Sequence, residues 1–161
     1  MIRPLRRSRQ ALPPDECIAI LETGKECVLA VAGDDGYPYA VPVNYVYYDG
    51  AIFFHSAPQG HKIDALKREP RCSICVIDKD DVVAEEFTTY FRSVMVFGKA
   101  DFVDDTETKI EILRQLSKKY SPGIDPTAEI AKFLSHVCIV RIIPEHISGK
   151  EAIELTKLRG S

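Results

Sequence analysis

The sequence is poor in the features that would take a chain out of water or hold it together covalently. No apolar run approaches the roughly 18 residues needed to cross a bilayer. The N-terminal stretch has no apolar core ahead of a small-residue cleavage site, so a secretory leader is not expected and the cytoplasm is the default location. Cysteine is sparse and odd in number: Cys17, Cys27, Cys72, Cys75 and Cys138. With no leader, that count argues against a disulfide framework. Cys72 and Cys75 form a C-x-x-C, but residues 72–77 read as a strand, where positions three apart point to opposite faces. No second Cys/His pair follows at zinc-finger spacing. The expectation is therefore buried thiols and no metal site. An excess of positive charge is missing too: 21 Lys and Arg stand against 24 Asp and Glu, a net charge of −3. No global attraction to nucleic acid follows from that balance. The local exception is Arg3, Arg6, Arg7 and Arg9, which read either as a solvated arm or as an arm reaching an anionic ligand or a partner subunit. Internal repeats, low-complexity tracts and a G-x-x-x-x-G-K-[ST] phosphate loop are all absent.

What is present is an ordinary globular composition, 45% hydrophobic and 28% charged over 161 residues. It fits a single domain over residues 1–161, with an N-terminal arm at 1–12 and a tail at 149–161. Residues 12–21 read as a short helix with prolines at its start and Gly24 as its stop. Residues 26–32 read as a strand, and Asp34-Asp-Gly36 as a turn. From Tyr37 to Tyr48 the chain alternates with period two, and Asp49-Gly50 signals a hairpin into a strand at Ala51–Ser56. Residues 26–56 thus predict a meander of three antiparallel strands. Pro42 lies inside the middle one, which argues for an edge or a bulge. A helix is predicted over residues 60–68, a strand over 71–77, a charged loop over 78–86, and a long strand over 90–103 bent at Gly98. Asp104 with Glu107 suggests a capping box. It opens a helix with Ile110, Leu113, Leu116 and Tyr120 on one face. A short helix at 127–134, a strand at 137–143 and a charged helical tail complete the chain. Six strands with hairpin turns and outer helices suggest a small antiparallel barrel.

The stretch richest in chemistry is Phe53-Phe-His-Ser-Ala-Pro-Gln-Gly-His-Lys62. A strand ends in His55 and Ser56, and a helix opens at Gly60 with His61 and Lys62 in its first turn. A helix N-terminus presents free N–H groups and partial positive charge, which suits a phosphate. Lysine there opposes the helix macrodipole, a cost that a bound anion offsets. The alternative is a strand histidine that is merely satisfied and a lysine that is merely solvated.

Several segments, taken together and in order, resemble a known family. They are Tyr37-Pro-Tyr-Ala-Val-Pro-Val-Asn-Tyr45, Phe54-His-Ser-Ala57, Gly60-His-Lys-Ile-Asp-Ala65, Thr88-Thr-Tyr-Phe-Arg-Ser-Val-Met-Val-Phe-Gly98 and Gly149-Lys-Glu-Ala-Ile-Glu154. The chain from about Arg6 to Leu158 resembles the nitroimidazole-resistance branch of the pyridoxamine 5′-phosphate oxidase-like FMN-binding proteins. The resemblance implies a mainly β domain with flanking helices, a six-stranded antiparallel Greek-key split barrel. It also implies a homodimer with two FMN sites at the subunit interface. Val41, Pro42, Val43 and Asn44 would lie along the isoalloxazine. His55 and Ser56, with Gly60, His61 and Lys62, would hold the phosphate and ribityl chain. Arg92 and Ser93 would approach the flavin from the same or the other subunit.

The activity implied is that of an FMN-dependent reductase of small aromatic acceptors such as 5-nitroimidazoles. His55 is the candidate for proton delivery, because an unperturbed histidine titrates near neutrality. The alternatives are a flavin carrier or sensor without a substrate, or a haem- or F420-binding relative on the same barrel. The chain departs from the vitamin B6 oxidases in its tail, Ala152-Ile-Glu-Leu-Thr-Lys-Leu-Arg-Gly-Ser161. That tail lacks their arginine-and-histidine substrate motif, and the sequence contains no tryptophan.

Overall fold

The structure is a computed structural model that describes residues 2–160; Met1 and Ser161, the ends of the expected domain, lie outside the described residues. The first helix, α1 (Pro14–Thr23), begins as the sequence suggests, with proline at its first position and Asp15 and Glu16 in its first turn. It buries Cys17, Ile20 and Leu21. The strands β1 (Cys27–Ala32), β2 (Pro38–Val43), β3 (Val46–Tyr48), β4 (Ala51–Ser56), β5 (Arg71–Val83), β6 (Thr88–Phe102) and β7 (Cys138–Glu151) make one sheet in the order β2-β1-β5-β6-β7-β4-β3. Every pairing is antiparallel. The remaining helices are α2 (His61–Arg68), α3 (Thr106–Tyr120), α4 (Thr127–Phe133) and α5 (Ile153–Arg159).

The sheet has seven strands rather than the six expected, and hydrogen bonds do not close it into a barrel. The difference comes from residues 37–48. Their alternation reads as one strand, but the ladder breaks at Asn44 and Tyr45, and the two halves join opposite ends of the sheet. The expected meander is therefore two separate hairpins. β2 pairs with β1, while β3 pairs with β4 across the Asp49-Gly50 turn. Both turn residues have positive φ, 48° and 75°, the combination that matches the twist of a two-residue hairpin. Asn44 and Tyr45 join the outermost strands, β2 and β3, which are not hydrogen-bonded to one another. Pro42 fits its place: β2 is an edge strand, so the missing N–H leaves no partner unsatisfied.

Three other boundaries move. The charged stretch 78–86 is not a loop. β5 and β6 continue past the core as a two-stranded ribbon, paired from Lys79↔Arg92 to Val83↔Thr88, whose charges face water. β7 runs past Pro144 to Glu151, because Pro144 sits at a bulge opposite Gly98. A Cβ on Gly98 would stand 2.5 Å from the Ile143 carbonyl, so glycine is what lets the two backbones approach at the register shift. The cap of α3 is Asp105, one residue later than expected, and its carboxylate accepts from the Thr108 amide at 2.8 Å.

Two cores result. The main one packs α1 and α2 against Leu29, Ile74, Val76, Val94, Val96, Val140 and Ile142. The smaller one packs Ile112 and Leu116 of α3 against Val46, Phe53 and Ile139. Cys72 faces the core and Cys75 the opposite side, as strand alternation requires. Burial pushes all five thiols up, Cys27 to about 12 and Cys72 to about 11, so none is a ready nucleophile. Among the described residues no group of His, Cys, Asp and Glu could hold a metal ion. No helix among them is long and apolar enough to cross a membrane.

Candidate functional site

β4 serves both cores through its alternation. Ile52 and Phe54 enter the main core, while Ala51 and Phe53 pack toward α3. His55 continues the second series, so it emerges on the α3 side where the strand leaves the core. Asn44 arrives from the other direction, at the break between β2 and β3. The break is held by α3. The Tyr45 amide donates to the Tyr120 hydroxyl at 3.0 Å, and Lys119 Nζ donates to the Tyr45 carbonyl at 2.9 Å. The Tyr45 ring is fully buried, its hydroxyl donating to the Leu21 carbonyl at 2.7 Å and Lys119 lying 3.9 Å from the ring centre. The backbone N–H and C=O of buried Tyr45 are thus both paired although they have left the ladder.

Asn44 and His55 meet in one cavity of about 470 Å³. Its other walls come from α3 (Leu113, Leu116, Ser117, Tyr120), α4 (Glu129, Ile130, Phe133) and the approach to β7 (His136, Val137). Mostly apolar walls with a few convergent polar groups are the usual form of a small-molecule site. His55 keeps an open edge to solvent, yet partial burial still lowers its pKa from the ordinary histidine value. The imidazole is neutral at neutral pH and offers one donor and one acceptor.

The α2 residues are arranged differently from one another. Gly60 caps the helix at φ 125°, a conformation that disfavours any side chain, and space is open where a Cβ would stand. The Ile63 and Asp64 amides donate to the Gly60 carbonyl at 3.0 Å, which leaves the His61 and Lys62 amides at the open end of α2. Lys62 forms no ion pair among the described residues. His61 turns elsewhere: its ring stacks on Tyr39 at 4.1 Å and Nε2 lies 3.6 Å from Asp34. Ser56 follows His55 but points to the opposite side of β4, with its backbone paired to Cys138. Val41 and Val43 are half-buried toward the main core, whereas Pro42 and Asn44 are exposed.

Arg92 and Ser93 do not reach this cavity within one chain. Arg92 pairs with Glu151 at the end of β7, whereas His55 pairs with Ile139 near its start. Twelve residues of strand separate those positions, roughly 40 Å along β7. Arg92 is engaged there by Glu151 at 3.0 Å and Asp78 at 3.7 Å. Glu151 is fully buried and also meets Arg159 at 2.7 Å, which ties α5 to the sheet. Ser93 shares its side of β6 with the exposed Met95 and Phe97.

Sequence reasoning missed the α3–α4 wall. Leu113, Leu116 and Tyr120 were visible as a helical stripe, but such a stripe signals core packing and carries no mark of a cavity. Glu129 and His136 sit in a short helix and a loop, where no period or motif singles them out.

The model of the pyridoxamine 5′-phosphate oxidase family matches residues 13–151. No curated protein matches the sequence at a significant level. Among solved structures, a candidate 5-nitroimidazole antibiotic resistance protein from Bacteroides thetaiotaomicron is similar at 23% identity, with 88% of this chain and 86% of that chain covered and a TM-score of 0.73. A flavocytochrome from Azotobacter vinelandii is similar at 22% identity, with 93% and 72% covered and a TM-score of 0.79. An FAD-binding protein from Mesorhizobium loti is similar at 25% identity, with 88% and 94% covered and a TM-score of 0.66.

Proposed function

The chain belongs to the pyridoxamine 5′-phosphate oxidase family, and from that premise we propose that it is a homodimeric FMN-binding reductase of small aromatic acceptors such as 5-nitroimidazoles. The observation that carries this reading is the meeting of Asn44 and His55 in one largely apolar cavity. A flavin is also in keeping with what relatives on this fold are named for, FAD in one and a flavocytochrome in another.

The residues present fit FMN. Lys62, the His61 and Lys62 amides and the Ser56 hydroxyl form a donor set suited to a phosphate, with open space at Gly60 to admit it. His61 contributes its backbone to that set, because its ring is committed to Tyr39 and Asp34. The exposed edge of β2 from Val41 to Asn44 offers backbone groups to the rim of a flat ring, and Asn44 adds a side-chain amide. When bound, FMN supplies the redox chemistry. The protein's part is to hold the ring, exclude water with Leu116, Ile130 and Phe133, and present His55 to a stacked acceptor. His55 can donate its N–H or, at lower pH, pass a proton.

The dimer rests on the other side of the sheet. The cross-strand rows Pro42–Val28–Cys75–Met95–Ser148 and Ala40–Ala30–Ser73–Phe97–His146 contain no formally charged residue except His146 when protonated. The helices bury their residues in the two cores on the other side, and Met95 and Phe97 stand exposed. An extended charge-poor face of this kind suits a self-complementary contact. It also contains Ser93, so a second copy would carry Ser93 toward its partner's flavin, with Arg92 anchored behind it by Glu151.

The test is the absorbance spectrum of the purified protein, followed by titration with FMN under fluorescence detection. Binding at about one FMN per subunit supports the assignment and justifies a nitroaromatic screen with a chemical electron source. A Soret band in place of flavin absorbance would transfer the cavity to haem. No binding of FMN would sink the central claim.

A further inference from the structure

The cavity's charge is one-sided. Its lining includes Glu129 and no lysine or arginine. Lys118, Lys119 and Lys132 flank the cavity without joining its lining. Lys119 Nζ is on the Tyr45 carbonyl at 2.9 Å, and Lys132 lies 4.9 Å from the centre of the Phe133 ring without joining the lining. The Tyr120 hydroxyl is taken by the backbone of Tyr45 and Lys25. His136 has Nδ1 held by the Ser135 hydroxyl at 2.9 Å, which leaves Nε2 as its free ring nitrogen. α3 ends on the same cavity, with Ser117 and Tyr120 in its last turn and Ser121 as its cap. The unpaired carbonyls of a helix C-terminus add partial negative charge. Leu116, Ile130 and Phe133 meanwhile supply apolar walls, Phe133 with a flat ring.

We propose that the cavity selects planar aromatic ligands that carry a cationic or N–H-donating edge, and that Glu129 is the residue that sets this preference. The proposal rests on the assignment of the cavity to the acceptor. A ring bearing a carboxylate would bring like charge to Glu129 with no cation in the lining to offset it. A ring with an N–H or a positive charge at one edge finds a charge-assisted acceptor in Glu129. The opposite edge of such a ring meets Asn44 and His55.

Two planar probes of similar size separate the possibilities: benzamidine, a cation with N–H donors, and benzoate, an anion. Each is titrated calorimetrically into flavin-free and FMN-loaded protein, wild type and Glu129→Gln. The expected result is benzamidine binding at least about tenfold tighter than benzoate. In Glu129→Gln the benzamidine affinity falls about five- to tenfold while FMN affinity is unchanged. Equal affinity for the two probes in the wild type overturns the proposal, and so does unchanged benzamidine binding in Glu129→Gln. The FMN titration is read separately. Loss of FMN binding with probe discrimination intact would defeat the flavin assignment and leave Glu129's role standing. FMN binding without discrimination would do the reverse.

Discussion

The two faces of β1, β5 and β6 are written in alternate residues of the same strands, and they meet different surroundings. Leu29, Ile74, Val76, Val94 and Val96 are almost wholly buried against α1 and α2. Their immediate neighbours Ala30, Ser73, Cys75, Met95 and Phe97 form the open side. The middle rows of both sides are short of charge, and charge enters the open side only toward its ends, at Arg71, Lys99 and Lys150. Side-chain volume and branching distinguish the two sides. The covered side is built of Leu, Ile and Val, which fill space with few rotamers. The open side mixes small residues with two large flexible or flat ones, a composition suited to fitting a surface rather than filling a core.

The largest expected effect comes from the covered side. Ile74→Ala should cost about 2–5 kcal/mol of unfolding free energy, because it leaves a cavity in rigid surroundings. Denaturant titration checks it, and a loss below about 1 kcal/mol would mean that this face is not a true core. Phe97→Asp on the open side should behave in the opposite way. The isolated subunit's stability should change by no more than about 0.5 kcal/mol, while light scattering shows dimer giving way to monomer. If Phe97→Asp stays dimeric, the open side is not the subunit contact.

How much of this was legible in the sequence divides along the same line. Alternation in residues 71–77 and 90–100 fixes which side chains share a face, and it correctly separates Cys72 from Cys75. It cannot say which strands become neighbours. Residues 37–48 alternate without a flaw, so nothing local reveals that Asn44 and Tyr45 leave the ladder. The break is made by Tyr120 and Lys119, more than seventy residues away. The last strand, expected over 137–143, instead runs on to Glu151, because a bulge absorbs Pro144. At the site, His55 could be found because it ends a recognisable strand, and Asn44 because the family resemblance singles it out. Glu129 and His136 could not, because their role depends only on where α4 packs.

Lys62→Ala sharpens the comparison at the edge of the covered side. Lys62 is only partly exposed and has no ion-pair partner among the described residues. Its removal should leave folding almost untouched and weaken FMN binding by about 1–3 kcal/mol through loss of a charged hydrogen bond. An unchanged FMN affinity would remove Lys62 from the phosphate contact and leave the α2 amides to act alone.

The smallest effect concerns β4, which repeats the two-sided pattern in adjacent residues. Phe54 is fully buried, and His55 stands on the cavity side with a lowered pKa caused by partial burial. Above about pH 6.5 the imidazole is neutral in both the folded and unfolded chain and does not influence stability. As the pH falls below that value the unfolded chain takes up its proton first. Stability then declines until the folded pKa is passed. His55→Gln should remove that acid limb, measured as a smaller drop in Tm between neutral and mildly acidic buffer. Its open edge keeps the change modest. The same variant divides the two roles available to His55 in turnover. A rate that no longer rises toward acid pH at saturating FMN identifies the imidazole as the proton source. A rate and pH profile equal to wild type confine His55 to shaping the cavity, leaving the acceptor's proton to come from water.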